Sequence, residues 1–131
     1  NVIGVIPEKL KDVEIAHRHL TQLYVVKTMH ERKALMSELA DAFVALPGGA
    51  GTLEEWFEVF TWSQLGYHAK PCCLLNVNRY FDPLIAMLDH IIKEGFMRPS
   101  YRDMIIVESN VDDLIRSIYS YSPKHEVKWS K

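Results

Sequence analysis

The sequence is poor in the features that mark specialised proteins. It has two cysteines in 131 residues, and they are adjacent, Cys72 and Cys73, so they supply no secreted disulfide framework. No apolar run approaches the roughly 20 residues needed to span a bilayer, and no signal-peptide pattern is visible. Fifteen Lys and Arg against seventeen Asp and Glu leave a net charge of -2 with interspersed signs, which gives no basic field for nucleic acid. The six histidines are scattered. His17 and His19 have no cysteine or carboxylate at metal spacing, and His30, His68, His90 and His125 complete no triad, so no metal is expected. There is no internal repeat and no low-complexity segment. What remains is 48% hydrophobic, enough for the core of one domain, with the reducing cytoplasm as its expected compartment.

The informative stretch runs from Ala42 to Glu55. Ala42 to Leu46 is short and continuously apolar, as in a strand buried on both faces of a parallel sheet, and Pro47 has no N–H with which to continue the ladder. Gly48, Gly49 and Gly51 follow. Thr52 and Glu55 then stand three apart ahead of an apolar run, the pattern of a capping box, which predicts a helix from Thr52 to Leu65. A helix N-terminus directly after a buried strand offers free N–H groups and the positive end of a dipole, and glycines let an anion come close. The stretch therefore predicts an anion site, most simply for a phosphate. It is not a P-loop, because Gly51 is followed by Thr52 and Leu53 rather than Lys and Ser or Thr. Nor is it a dinucleotide fingerprint, because Glu54 stands where the third small residue would be. Glu55 has two readings, a cap and a carboxylate beside whatever the phosphate carries. Glu54 is the alternative carboxylate, and the pattern does not choose between them.

The rest of the chain alternates strands and helices. Val2 to Ile6 reads as a strand ending at Pro7, Glu8 to Gln22 as a loop with one helical turn, and Leu23 to Val26 as a short strand. Thr28 opens a helix to about Ala40, with Met29, Met36, Leu39 and Ala40 on or near one stripe and Arg32 and Lys33 away from most of it. Arg32 is placed to offer a planar fork to a phosphate or purine edge, against the plainer reading of both cations as solvated helix residues. The helix after the glycines carries Trp56, Phe57, Val59, Phe60, Trp62 and Leu65. With so little polar face it is expected to be buried on more than one side, by a second subunit that covers part of Trp56, Phe60 or Trp62. Gly66 ends it. Pro71 to Val77 is a buried strand, in which Cys72 and Cys73 are inert core. A turn at Asn78 and Arg79 leads to a helix capped by Asp82, begun by Pro83 and stopped by Gly95. Met104 to Val107 is the last strand, and Asn110 caps a helix from Val111 to about Tyr121. The order predicts an α/β fold, a Rossmann-like parallel sheet with helices on both faces. Residues 1–121 form the single domain and 122–131 a polar tail.

With these residues in place, the sequence resembles the Lonely Guy family of cytokinin-activating phosphoribohydrolases, once labelled "possible lysine decarboxylase". The family hallmark Pro-Gly-Gly-x-Gly-Thr-x-x-Glu is met by Pro47, Gly48, Gly49, Gly51, Thr52 and Glu55, and the hallmark Met-His-x-Arg-Lys by Met29, His30, Arg32 and Lys33. Thr61 to Gly66, then His68 with Lys70 and Pro71, then Leu75 to Val77, are also family-like. The likeness runs from Val2 to about Tyr121.

The resemblance implies hydrolysis of the N-glycosidic bond of N6-modified adenosine 5′-monophosphates, releasing a free cytokinin base and ribose 5-phosphate. It implies Arg32 and Glu55 as the catalytic pair. Gly48, Gly49, Gly51 and Thr52 would hold the phosphate, with Lys33 and Met29 beside the substrate. It further implies a homodimer and a nucleoside 5′-monophosphate as the small-molecule partner, while charge and hydropathy point to neither nucleic acid nor membrane. No cofactor is expected, since Lys33 and Lys70 lack the context of a pyridoxal-phosphate lysine. The family's first strands have no counterpart upstream of Asn1, so the N-terminal part of the fold is expected to be missing from this chain. The alternatives are hydrolysis of plain AMP, as in an AMP nucleosidase, and a nucleotide-binding module without turnover.

Overall fold

The computed structural model describes residues 1–11 and 19–123, and these form two compact units, Asn1–Ala40 and Asp41–Lys131. In the first unit, β1 (Ile3–Pro7) and β2 (Gln22–Val26) pair in parallel, with Ile3 opposite Gln22 and Pro7 opposite Val26. Pro7 closes the strand because it has no N–H to extend it. One 3-10 turn, Glu8–Leu10, follows β1, as expected, and the loop residues 12–18 lie outside the described residues. Helix α1 (Met29–Leu39) packs on both strands. It starts directly after Thr28, whose backbone is extended, and the Thr28 hydroxyl accepts the Glu31 N–H at 3.1 Å. Glu31 reaches back in turn, accepting the Lys27 N–H at 2.7 Å. This reciprocal arrangement is close to a capping box, displaced by one residue at the acceptor end.

The second unit is a three-stranded parallel sheet in the order β3 (Phe43–Ala45), β4 (Cys72–Leu75), β5 (Ile105–Glu108). Every residue of the central strand β4 is buried, and its alternation divides the core. Cys72 and Leu74 face one side, where they pack with Trp56 and Phe60 of α2 (Ala50–Gln64), Leu88 of α3 (Asp82–Lys93) and Tyr101 of the short α4 (Pro99–Arg102). Cys73 and Leu75 face the other, against Leu114 of α5 (Val111–Ser120). Period-two alternation in a parallel strand thus places helices on both faces, as expected for this α/β class. Burial pushes both thiols up to about 12, with Cys73 adding to the effect on Cys72, in keeping with an inert core role.

Helices α2 and α3 end alike. Gly66 and Gly95 have φ of 80° and 83°, and in each case the next residue donates back five positions, Tyr67 to Trp62 and Phe96 to Ile91, both at 3.0 Å. These are Schellman turns, which only a residue free to be left-handed closes cheaply. Asn110 caps α5 as expected, accepting the Asp113 N–H at 2.9 Å.

Two expectations fail in detail and a third narrows. Strand β3 is not buried on both faces. It is the edge of its sheet, and Val44 and Leu46 are 40% and 57% exposed. Asp82 does not cap α3. Phe81 holds the cap position without a side-chain bond, because the Asp82 carboxylate is engaged by Asn76 and Arg79. Trp56 and Phe60 need no partner to cover them: their rings stack 5.1 Å apart inside this unit's own core, and the Trp56 indole donates to the Cys73 carbonyl at 3.1 Å. Trp62 alone of the three stays half-buried. Among the described residues no helix is long and apolar enough to cross a membrane. The tail from 124 onward lies outside the described residues.

Candidate functional site

Strand β3 stops at Ala45, four residues of loop follow, and α2 begins at Ala50 with Gly49 as its cap residue. The helix therefore starts before Thr52, and this removes the predicted capping box. Thr52 is the third helical residue and Glu55 lies in the second turn, too far along to close a box at Gly49, and no side chain caps this end. The Thr-x-x-Glu pair that does act at a helix start is Thr28 with Glu31. Because Gly49 contributes no side chain, the first-turn N–H groups of Ala50, Gly51 and Thr52 have no capping oxygen.

The three glycines serve different ends. A Cβ on Gly48 would collide with the Thr52 hydroxyl, which is folded back over it. Gly49 and Gly51 have nothing within 4 Å of where a Cβ would be, and Gly49 has a φ of -91° that any residue can adopt. Neither crowding nor backbone strain explains them. Their effect is to leave open space beside the uncapped N–H groups, the local chemistry of an anion seat.

Glu55 is three residues beyond Thr52 and four beyond Gly51, so the three share one side of α2, and the tilt of helical side chains turns Glu55 toward the loop. It is half-buried, whereas Glu54 is exposed. The structure thereby separates two carboxylates that the sequence pattern left equivalent.

Sequence reasoning missed Tyr80, which meets the same loop, and Asn76, which braces the turn carrying it. The Tyr80 hydroxyl donates to the Gly48 carbonyl at 2.6 Å. Asn76, buried at the carboxyl end of β4, accepts the Phe81 N–H at 2.7 Å and donates to Asp82 at 2.8 Å, and its own N–H bonds the Glu108 carbonyl at 2.8 Å. The Asn76 bond, and then the Arg79 bond at 2.6 Å, hold the Asp82 carboxyl below its usual range. Asn78 and Arg79 lie between with φ of 51° and 60°, a left-handed pair natural for asparagine and strained for arginine. The signal that could have found Tyr80 is positional: the turn Asn76 to Tyr80 follows a fully buried parallel strand, and ligand-binding loops of such sheets gather at the carboxyl ends of strands.

Met29, Arg32 and Lys33 lie at helical spacing on α1, in the first unit, while the glycine loop, Glu55 and Tyr80 belong to the second. Met29 is exposed, and Arg32 and Lys33 are half-buried. The Arg32 Nε is buried with no hydrogen-bond partner among the described residues, a donor still to be satisfied.

Parallel sheet, uncapped glycine-lined helix start and adjacent carboxylate together describe an α/β protein with open space and unpaired N–H groups at the carboxyl edge of its sheet. The chain belongs to the family described as "possible lysine decarboxylase", whose model matches residues 1–118. It is 54% identical over 120 residues, 91% of this chain, to the cytokinin riboside 5′-monophosphate phosphoribohydrolase of Rhodococcoides fascians, and covers 61% of that protein. It is 48% identical over its whole length to a protein of Oryza sativa subsp. japonica named "Probable cytokinin riboside 5′-monophosphate phosphoribohydrolase", covering 54% of it. A cytokinin riboside 5′-monophosphate phosphoribohydrolase of Arabidopsis thaliana is 45% identical, again over the whole chain, with 62% of its length covered. The chain thus spans little more than half the length of the curated relatives it matches.

Proposed function

We propose that this protein hydrolyses the N-glycosidic bond of N6-modified adenosine 5′-monophosphates, releasing the free cytokinin base and ribose 5-phosphate. The observation that carries the proposal is the uncapped start of α2: Gly49 and Gly51 open the approach, and half-buried Glu55 stands on the same side one turn further in. The names of the relatives supply the chemistry that such a site would serve.

In this reading the 5′-phosphate sits on the N–H groups from Gly49 to Thr52, in the positive end of the helix dipole, and the ribose extends past Glu55. As the C1′–N9 bond breaks, its electron pair leaves with the base and C1′ becomes oxocarbenium-like. The Glu55 carboxylate stabilises that positive charge, water oxygen bonds to C1′, and one of the water's protons stays on the new C1′ hydroxyl while the other ends on the departing base. By the resemblance of their motif, Arg32 supplies the second catalytic group, with Lys33 and Met29 beside the substrate. The working assembly is a homodimer in which half-buried Trp62 contributes to the contact, and the compartment is the cytoplasm, where the free Cys72 and Cys73 stay reduced.

The test is chromatographic detection of base released by the full-length protein from N6-isopentenyladenosine 5′-monophosphate, from AMP and from the unphosphorylated riboside. Release from the isopentenyl monophosphate, with none from the riboside, is expected. Release from AMP alone assigns the AMP nucleosidase alternative, and binding without release from either nucleotide reduces the protein to a nucleotide-binding module.

A further inference from the structure

Tyr80 is 50% exposed, yet its hydroxyl is committed to a single backbone acceptor, the Gly48 carbonyl. The peptide it grips joins Gly48 to Gly49. With no side chain on either flank, this is the peptide of the loop that meets least resistance to flipping. In a trans peptide the carbonyl and the N–H point in opposite directions, so holding the Gly48 oxygen fixes where the Gly49 N–H points. A hydrogen bond accepted by the carbonyl also polarises the amide and makes its N–H the better donor.

The tyrosine is itself held in place. Its ring meets that of Phe81 edge-on at 5.1 Å, and Phe81 is fully buried. Asn76 accepts the Phe81 N–H and donates to Asp82, tying the turn that delivers Tyr80 to the end of β4. The hydroxyl therefore arrives from a braced turn, which makes it a defined restraint on the loop.

We infer that Tyr80 is a positioning residue for phosphate recognition, holding the Gly48–Gly49 peptide in the one orientation that presents the Gly49 N–H to the ligand's phosphate. The inference rests on the phosphate reading of the glycine loop and adds a residue that acts on that loop from another strand's turn.

Tyr80→Phe keeps the ring and its contact with Phe81 and removes only the hydroxyl. The measurements are dissociation constants of the full-length protein for AMP and for adenosine, the melting temperature, and the backbone amide spectrum. The affinity for AMP should fall about fivefold or more, the loss of one hydrogen bond to a charged group together with loop order. Adenosine affinity and melting temperature should not move, and the Gly49 amide resonance should shift or broaden. AMP affinity equal to wild type, or equal losses for AMP and adenosine, would overturn the role of Tyr80 while leaving the phosphate reading intact. Wild-type protein that binds AMP no better than adenosine would remove the phosphate reading, and Tyr80's role with it.

Discussion

The Thr52 hydroxyl occupies the space that a Cβ on Gly48 would need. This contact, rather than a capping box, is what the threonine of the glycine stretch does in the folded chain. Gly48→Ala should therefore displace Thr52 and destabilise the protein by about 1–3 kcal/mol, the ordinary cost of overpacking. Thr52→Ala in the same chain should recover part of that loss by removing the hydroxyl and the methyl. Chemical denaturation of the two variants checks both statements, and an unperturbed Gly48→Ala would contradict the packing.

Gly49 and Gly51 should behave in the opposite way, because open space surrounds both. Gly51→Ala lies inside α2 and should raise stability by up to about 1 kcal/mol through helix propensity, while weakening nucleotide binding. Gly49→Val should still fold, and should lose nucleotide affinity by on the order of tenfold or more as the side chain blocks close approach. Calorimetric titration with AMP, paired with thermal melts, separates the two effects. Unchanged affinity in Gly49→Val would count against an anion seat at this helix start.

Arg79 holds a left-handed φ of 60° and donates to Asp82 from a side chain that is 87% exposed. A solvent-exposed ion pair contributes little, whereas glycine relieves the backbone strain. Arg79→Gly should consequently be neutral or stabilising by about 1 kcal/mol, as read by denaturant midpoint. A loss of stability of similar size would mean that the Asp82 contact matters more than the strained backbone.

His68 gives the fold an acid-sensitive point. Its Nδ1 accepts the Lys70 N–H at 3.1 Å, which leaves Nε2 to donate to the Val59 carbonyl at 2.8 Å, so the ring is neutral. Burial holds its pKa below the ordinary 6.5, outweighing the Val59 bond, and Lys70 lowers it further. The unfolded chain then binds the proton more readily than the native one. The stability His68 confers is complete above about pH 6.5 and is lost as pH falls toward the lower native value. Melting temperatures from pH 7.5 to 5 should fall less steeply in His68→Gln than in wild type, and parallel slopes would assign the acid sensitivity to other groups.

Legibility in the sequence tracked how local each signal was. The alternation of apolar runs with Gly66, Gly95 and Asn110 gave the parallel sheet, its helices and their ends, because each depends on neighbours a few residues away. The same Thr-x-x-Glu pattern misled at Thr52, since the helix was free to begin earlier once Gly49 and Ala50 could adopt the geometry. The pattern does mark a helix start at Thr28. Asp82 failed as a cap for a tertiary reason: Asn76 and Arg79 compete for its carboxylate. Phe60 and Trp56 looked like interface residues because nothing in a helix's own sequence shows how many layers will cover it. The contact of Tyr80 was not legible for the same reason, since its acceptor lies 32 residues away, and only its place after a buried parallel strand pointed to it.

Loss of the capping role leaves Glu55 with no structural task at the helix start, so replacing it isolates its chemistry. The decisive measurement is base release from N6-isopentenyladenosine 5′-monophosphate by Glu55→Gln in the full-length protein, alongside nucleotide affinity and melting temperature. Turnover should fall by about a hundredfold or more as charge stabilisation at C1′ is lost, with affinity and melting temperature close to wild type. Turnover near the wild-type rate would contradict this and leave the glycine loop as an anion seat without its catalytic carboxylate.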